Sequence, residues 1–340
     1  MEYSGLVTKT RAMHGGLLSQ QTLAGLAECE KVEEILGFLR EYGSYAPIFQ
    51  SHEEIAHRAQ VEAVIGDSLY SDYGKLYRFA GSAQRQGLEI IFMRYEVNVL
   101  KKCMEHIGRR IREKNLDYLN LFFGQHADFD VAAVTEAMDM AGFLAGLSGS
   151  RYEAPLRRMV ENPAMSQTDY VIQMDVFYYK TAWKYKDRLK DARMREIYTQ
   201  LLGTEIDWQN IMWIYRSKRF YDRRPEEIAA DMIPVSYRLK KQELAALLES
   251  GTTEAFVEVL GRTSYFRGKD ALAAVGDEVT FARMIEKTYR LLGRKYPMSL
   301  APVLKYLYDK ENEIDKLTTI LEGVRYRIPA PEIRELVLAT

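Results

Sequence analysis

The sequence predicts an all-α protein built from three pseudo-repeated helical domains, and three observations carry that prediction. Only 9 of 340 residues are proline, 14 are methionine, and Leu, Ala, Glu, Lys and Arg abound, a mixture that favours helix over sheet. No stretch alternates apolar and polar residues long enough to require a strand. Second, one helical seam occurs three times: Ile90, Val97, Leu100, Met104; Leu201, Trp208, Ile211, Tyr215; and Leu307, Ile314, Leu317, Leu321. Steps of seven, three and four place each set on one helix face. An acid stands just before the second seam residue of each copy, Glu96, Asp207 and Glu313, at spacings of 111 and 106 residues. Third, Tyr45, Tyr152 and Tyr265 each follow a short apolar helical stretch, 107 and 113 residues apart. Each lies 48 to 55 residues ahead of the acid downstream.

The domains are expected at 1–115, 116–222 and 223–340, each of common domain size. In the first, Tyr3 to Leu18 and Thr22 to Tyr42 read as helical, and Gly43, Ser44 and Pro47 end the second stretch. Ser51 with Glu54 forms a capping box ahead of Ile55. Aromatic-rich Leu69 to Tyr77 precedes the first seam helix, which is expected to run to about Lys114. In the second domain Asp130 caps a helix from Val131 to Leu147, and Asn162-Pro163 is a turn signal. A basic helix from Met174 to Gly203 leads into the second seam helix, which ends near Tyr221. Pro225, followed by Glu226 and Glu227, opens the third domain with proline and acids in a first helical turn. Helices are expected at Arg238 to Glu249, Glu254 to Leu260 and Asp277 to Leu292. Pro302 starts the last long helix, about 30 Å in length, and Gly323 is expected just past its end. Pro331-Glu332 starts a short terminal helix.

The net charge is −1, which gives no global attraction to nucleic acid or anionic membrane. Its distribution is uneven. Lys180 to Arg224 holds 12 Lys/Arg against 6 Asp/Glu, whereas Gln21 to Ala63 holds 8 acids against 3 bases. Cys29 and Cys103 lack metal-ligand spacing and read as reduced thiols, Cys103 as a buried one. No signal peptide is recognisable at the N-terminus, and the longest uncharged run, Ala12 to Ala27, is too polar to cross a bilayer. A soluble protein is expected.

The catalytic inventory is thin. His52 and His57 resemble a zinc-protease helix, but at i+5 their rings point about 140° apart. His126, near Asp128 and Asp130, reads as helix-end chemistry. No phosphate-binding glycine loop and no nucleophile elbow occurs. Gly142 and Gly146 read as a close helix contact. The seam acids read as tuning a helix surface or an inter-domain contact. No catalytic residue, metal site or cofactor is expected.

The most informative charged stretch contains Lys184, Lys186, Arg188, Lys190, Arg193 and Arg195, followed by Arg216, Lys218 and Arg219. Trp183, Tyr185, Phe220 and Tyr221 are interleaved with them, and basic residues mixed with aromatics are one signature of nucleic-acid binding. Asp187 and Asp191 interrupt the run, however, and the chain is neutral. A solvated helix face, or a patch for an acidic protein partner, is therefore the expected reading, and nucleic acid is not.

The run from Tyr306 to Gly323, with Pro331-Glu332-Ile333-Arg334 beyond it, resembles the end of the C subunit of V-type ATPases. This is the archaeal and bacterial family whose eukaryotic counterpart is the V-ATPase d subunit. Glu205-Ile206-Asp207-Trp208-Gln209-Asn210-Ile211, with Arg216 and Lys218, resembles its internal motif. Tyr3 to Ser19, with Arg11 and Leu17-Leu18-Ser19, resembles its opening helix. The departures are Gly15-Gly16, where the family has good helix formers, and Asp315-Lys316, where arginines are common.

The resemblance implies a funnel-like body and a non-catalytic central-stalk adaptor of a rotary ATPase or ATP synthase. One face would sit on the membrane proteolipid ring, and the cavity would receive the axle made by the D and F subunits. Torque for H⁺ or Na⁺ transport would pass through it, on the cytoplasmic side, with membrane association only through the ring. The alternative is a helical scaffold for nucleic acid or acidic protein partners, unrelated to an ATPase.

Overall fold

The computed structural model describes residues 3–50, 58–109, 121–163, 165–221, 223–267, 271–276 and 278–339. Among them every regular element is a helix. Ser51, His52, Glu54 and His57, Lys114 and Leu116 lie outside the described residues.

The chain opens with α1 (Ser4–His14), which stops at Gly15 where the glycine pair stands. Next come α2 (Gln20–Leu26), α3 (Val32–Glu41), α4 (Ala46–Gln50), α5 (Arg58–Phe79) and α6 (Ser82–Gly108). The Thr22 to Tyr42 stretch is thus two helices. Four short helices follow: α7 (Leu121–His126), α8 (Val131–Glu136), α9 (Met140–Gly146) and α10 (Glu153–Val160). The single helix expected from Val131 to Leu147 is broken by a second cap. Asp130 accepts from the Ala133 amide at 3.0 Å, and Asp139 then accepts from the Gly142 amide at 2.8 Å, which starts a new helix. Gly146 allows α9 to fold back on α8, since a Cβ there would stand 2.9 Å from Val134.

The basic helix expected from Met174 to Gly203 is also two, α11 (Gln167–Lys186) and α12 (Ala192–Phe220). Asp191 is the reason: it accepts from the Arg193 and Met194 amides at 2.8 and 3.3 Å. The acid that interrupts the basic run is a helix cap. The remaining helices are α13 (Pro225–Ala230), α14 (Lys241–Glu249), α15 (Thr253–Arg262), α16 (Ala271–Gly276), α17 (Glu278–Lys295), α18 (Ala301–Arg325) and α19 (Ala330–Ala339). Pro225 and Pro302 both occupy first-turn positions, as predicted.

The chain forms two compact units, one of Met1–Arg85, Cys103–Ala154 and Lys295–Thr340, the other of Gln86–Lys102 and Pro155–Arg294. In the first, α1, α2, α3, α5 and α19 pack around α18, and Ile35, Leu39, Ile65, Leu317 and Ile320 are fully buried there. In the second, α11, α13, α14 and α15 pack around α12, over a core containing Trp208, Ile211, Ile228, Leu247 and Phe256. Each such aliphatic side chain contributes about 2 kcal/mol by leaving water. Every residue of the three predicted seams is buried except Ile314, which is half-buried. Cys103 is fully buried, and no helix among the described residues is long and apolar enough to cross a membrane.

Gly323 does not end α18, which runs on to Arg325. The glycine is a packing site: a Cβ there would lie 2.6 Å from Ile333 Cγ1 of α19. The helix closes two residues later. The amides of Arg327 and Ile328 donate back to Val324 and Gly323 at 3.1 and 2.9 Å, the paired bonds of a Schellman ending. Arg327 takes the left-handed position with φ of 55°, where glycine is the usual occupant. Replacing Arg327 by Gly is expected to leave stability unchanged or raise it by up to about 1 kcal/mol, because a Cβ is disfavoured in that conformation. Replacing Gly323 by Ala is expected to cost about 1–3 kcal/mol through overpacking. Urea unfolding of the two variants checks both.

Candidate partner-binding site

The recurrent acids and tyrosines fall into place first, because they hold the helices that present everything else. Asp207 of α12 is 1% exposed and accepts four hydrogen bonds. Three come from the successive amides of Tyr237, Arg238 and Leu239 at 3.1, 2.7 and 2.9 Å, and the fourth from the Tyr265 hydroxyl at 2.7 Å. Glu313 of α18 repeats the arrangement in the other unit. It accepts from the Leu18 amide, from the Tyr45 hydroxyl at 2.8 Å and from the ammonium of buried Lys310 at 2.7 Å. The Lys310 ammonium lies 4.0 Å from the centre of the Tyr45 ring, a cation–π contact. Glu96 and Tyr152 are buried as well.

Of the two roles expected for these acids, a helix surface and an inter-domain contact, their burial removes the first; Asp207 and Glu313 bond residues outside their own expected stretch of chain. The bonding order also differs from the order of the sequence beat. Tyr265 bonds the acid upstream of it, and Tyr45, near the start of the chain, bonds the acid nearest its end. Burial, and then the adjacent carboxylate, raises the hydroxyl pKa of Tyr45, Tyr265 and Tyr306 above the ordinary 10, the carboxylate beside Tyr306 being Asp72.

The nine basic residues singled out in the sequence sort into two groups. Lys184 near the end of α11 is exposed, as are Arg188 and Lys190 in the turn that follows, and Arg193 at the start of α12. Arg216 and Arg219 are exposed on α12, with the Arg219 guanidinium against the Tyr215 hydroxyl and over the Phe220 ring. The other three are engaged within the fold. Lys186 is 5% exposed, with its ammonium 2.7 Å from Asp187 and 4.0 Å over the Trp183 ring. Arg195 donates to the carbonyls of Leu189 and Lys190 in the turn between α11 and α12. Lys218 donates to Leu248 and Ser250 at the end of α14, and burial lowers its pKa. Lys186, Arg195 and Lys218 are thus structural cations, not members of an open surface.

Next to Lys184 lies a cavity of about 760 Å³ that the sequence did not single out. Arg158, Lys180, Lys184 and Arg223 line it, with Asp169 and Asp231. Arg223 and Gln173 both bind Asp231, at 2.7 and 2.8 Å. Lys180 and Lys184 share a helix face by their i, i+4 spacing; no sequence rule brings Arg158 beside them. Also unforeseen is the ion pair of Arg94 on α6 with Glu205 on α12, at 2.7 Å. Burial opposes the Arg94 charge most strongly, but Glu205 together with Tyr178, Tyr289 and Tyr179 outweighs it and holds the pKa well above the ordinary value. Among the described residues no cluster of three or more His, Cys, Asp or Glu is placed to hold a metal ion. His126 contacts the Phe122 carbonyl at 2.9 Å, and Asp128 accepts from the backbone and side chain of Arg151.

Comparison with known proteins supplies what the geometry alone does not. The family model described as ATP synthase (C/AC39) subunit matches residues 6–336. The chain belongs to this family. Curated relatives are named as the C subunit of A-type ATP synthase. The Methanosphaera stadtmanae protein is 22% identical, with 97% of this chain and 86% of the relative covered. For Archaeoglobus fulgidus the figures are 23%, 98% and 95%, and for Pyrococcus horikoshii 25%, 98% and 90%. The C/AC39 family is thus matched over nearly the whole chain, both units included.

The buried groups make the core sensitive to single substitutions. Tyr265→Phe is expected to cost about 1–3 kcal/mol by leaving an Asp207 oxygen one donor short. Because the hydroxyl pKa values are raised on folding, the stability they contribute is complete below pH about 10 and is lost as pH rises above it. Stability in Tyr265→Phe should therefore fall less steeply with alkali than in the parent chain, as unfolding curves over that range will read. Lys186→Glu should cost about 3 kcal/mol or more, since it places a second acid beside Asp187 in a buried position. Lys184→Glu, on the open face, should stay within about 0.5 kcal/mol of the parent.

Proposed function

We propose that this chain is a non-catalytic central-stalk adaptor of a rotary ATPase or ATP synthase. In this reading it links the axle of the D and F subunits to the membrane proteolipid ring, and it passes torque for H⁺ or Na⁺ transport. The observation that carries the reading is the match to the C/AC39 family over residues 6–336, with relatives named as the C subunit of A-type ATP synthase aligned along 97–98% of the chain. The helical fold is compatible with it. Long helices with buried seams, tied to neighbouring turns by carboxylates, make a stiff body, and a coupler needs stiffness. A funnel of three repeats at 1–115, 116–222 and 223–340 is part of the same reading. It draws support from a buried tyrosine in the turn after each of α3, α9 and α15.

Within that role the exposed cations Lys184, Arg188 and Lys190, with Arg193, Arg216 and Arg219 on α12, meet an acidic surface of the axle or ring. Complementary charge sets register and association rate more than raw affinity. Reversal of Lys184, Arg188 and Lys190 to Glu should leave the isolated chain folded and weaken its assembly, increasingly so at low salt where charge acts over longer range. Native mass spectrometry of the tagged protein, taken gently from its own detergent-solubilised membranes, tests the whole reading. One copy per ring, recovered with two axle subunits, is expected. Recovery only from the soluble fraction, alone or with nucleic acid, would sink it.

A further inference from the structure

The cavity between α10, α11 and α13 has a chemistry that the adaptor role does not by itself specify. Its lining divides by polarity. Met159, Met165, Val176 and Phe177 contribute apolar surface, whereas Arg158, Lys180 and Lys184 contribute three exposed cations. The two acids at the lining are already engaged. Asp169 accepts from the amide and hydroxyl of Ser166, both at 2.7 Å, in a capping box at the start of α11. Asp231 is held by Arg223 and Gln173. Arg223 offsets Asp231, so three cations face one remaining acid, Asp169, and the net charge at the cavity is positive.

Size narrows the class of ligand. At about 760 Å³ the space is far larger than one phosphate, and it matches the volume in which proteins enclose drug-sized ligands. Methionine at two lining positions suits an occupant that is a side-chain surface, because its flexible thioether adapts to irregular apolar shapes. Lys180 and Lys184 lie one helical turn apart on α11, about 6 Å along its axis. A second helix laid beside α11 would present acids at the same i, i+4 interval.

We propose that this cavity docks an acidic amphipathic segment of a partner protein, with apolar side chains inserted between Met159, Met165 and Phe177 and carboxylates against Arg158, Lys180 and Lys184. The proposal deepens the adaptor reading, on which it rests for the presence of a neighbouring subunit. Helix-in-groove recognition works in this way, with i, i+4 anchors buried and charge at the rim.

The test uses the purified full chain and a fluorescent synthetic helix bearing Leu on one face and Glu on the other. Anisotropy should report saturable binding that weakens with salt. A Lys-for-Glu version of the peptide should fail to bind. Lys180→Glu with Lys184→Glu should lower affinity about tenfold or more, with unfolding curves showing the fold retained. Lys287→Glu with Arg294→Glu makes the same charge change at exposed positions of α17 outside the cavity lining and should bind as the parent does. Equal losses in the two double variants would mean diffuse attraction and overturn the cavity site. So would absence of binding at low salt. A single-stranded oligonucleotide that binds more tightly than the peptide, and is lost in the Lys180/Lys184 variant, would also overturn it by assigning the cavity to nucleic acid. Because the titration needs no assembled complex, it can fail while co-purification with a ring succeeds, and the reverse.

Discussion

A buried carboxylate on a long helix is the constraint from which the rest of each unit follows. An ionisable group out of water is costly unless its oxygens are hydrogen-bonded, so Asp207 and Glu313 dictate what surrounds them. Asp207 takes three consecutive backbone amides ahead of α14 and one phenol. Those amides precede a helix and have no intrahelical partners of their own. One side chain thereby satisfies a stretch of chain, fixes where the next helix begins and anchors the turn that carries Tyr265. Glu313 does the same for the segment after α1, where Leu18 donates, and recruits Lys310 as a buried counter-ion. The two ends of the chain are tied together through it.

Capping decides much of what remains. Asp139 and Asp191 each turn an expected single helix into two by accepting amide protons at a new start, as Asp130 does at the start of α8. The same logic operates at helix ends with cations: Lys218 holds the final carbonyls of α14, and Arg195 holds those of the turn before α12. Charge in this protein is therefore divided between groups that complete the backbone and groups left facing out. The first kind cannot be traded without loss of stability. Only the second is available for recognition.

This division bears on how the chain can hold a partner. Two helices of 29 and 25 residues give each unit an axis, and α11, packed on α12, presents Lys184 with Arg188 and Lys190 in the turn that follows. A surface held in this way can engage a partner with little further ordering, and low ordering cost is what rigid recognition supplies.

The sequence by itself determined the all-helical class, the three buried seams, the importance of the acids and tyrosines, the cap at Asp130, the first-turn prolines and the family resemblance. All of these are local or periodic, and period and capping chemistry are written in consecutive residues. It misjudged what Gly323 is for, because the neighbour that excludes a side chain there, Ile333, arrives only when α19 folds back. It left the acids between a helix surface and an inter-domain contact, since a carboxylate in sequence carries no record of the amides that will surround it. It grouped Lys186 with Lys184, two residues apart, although one is buried and the other exposed, because helical rotation separates neighbours onto different faces. The cavity, the pairing of Arg94 with Glu205 across 111 residues and the bond from Tyr45 to Glu313 across 268 belong to tertiary structure alone. Contacts of that range depend on which helices pack together, and packing selects among many equally amphipathic faces only when the whole chain is folded.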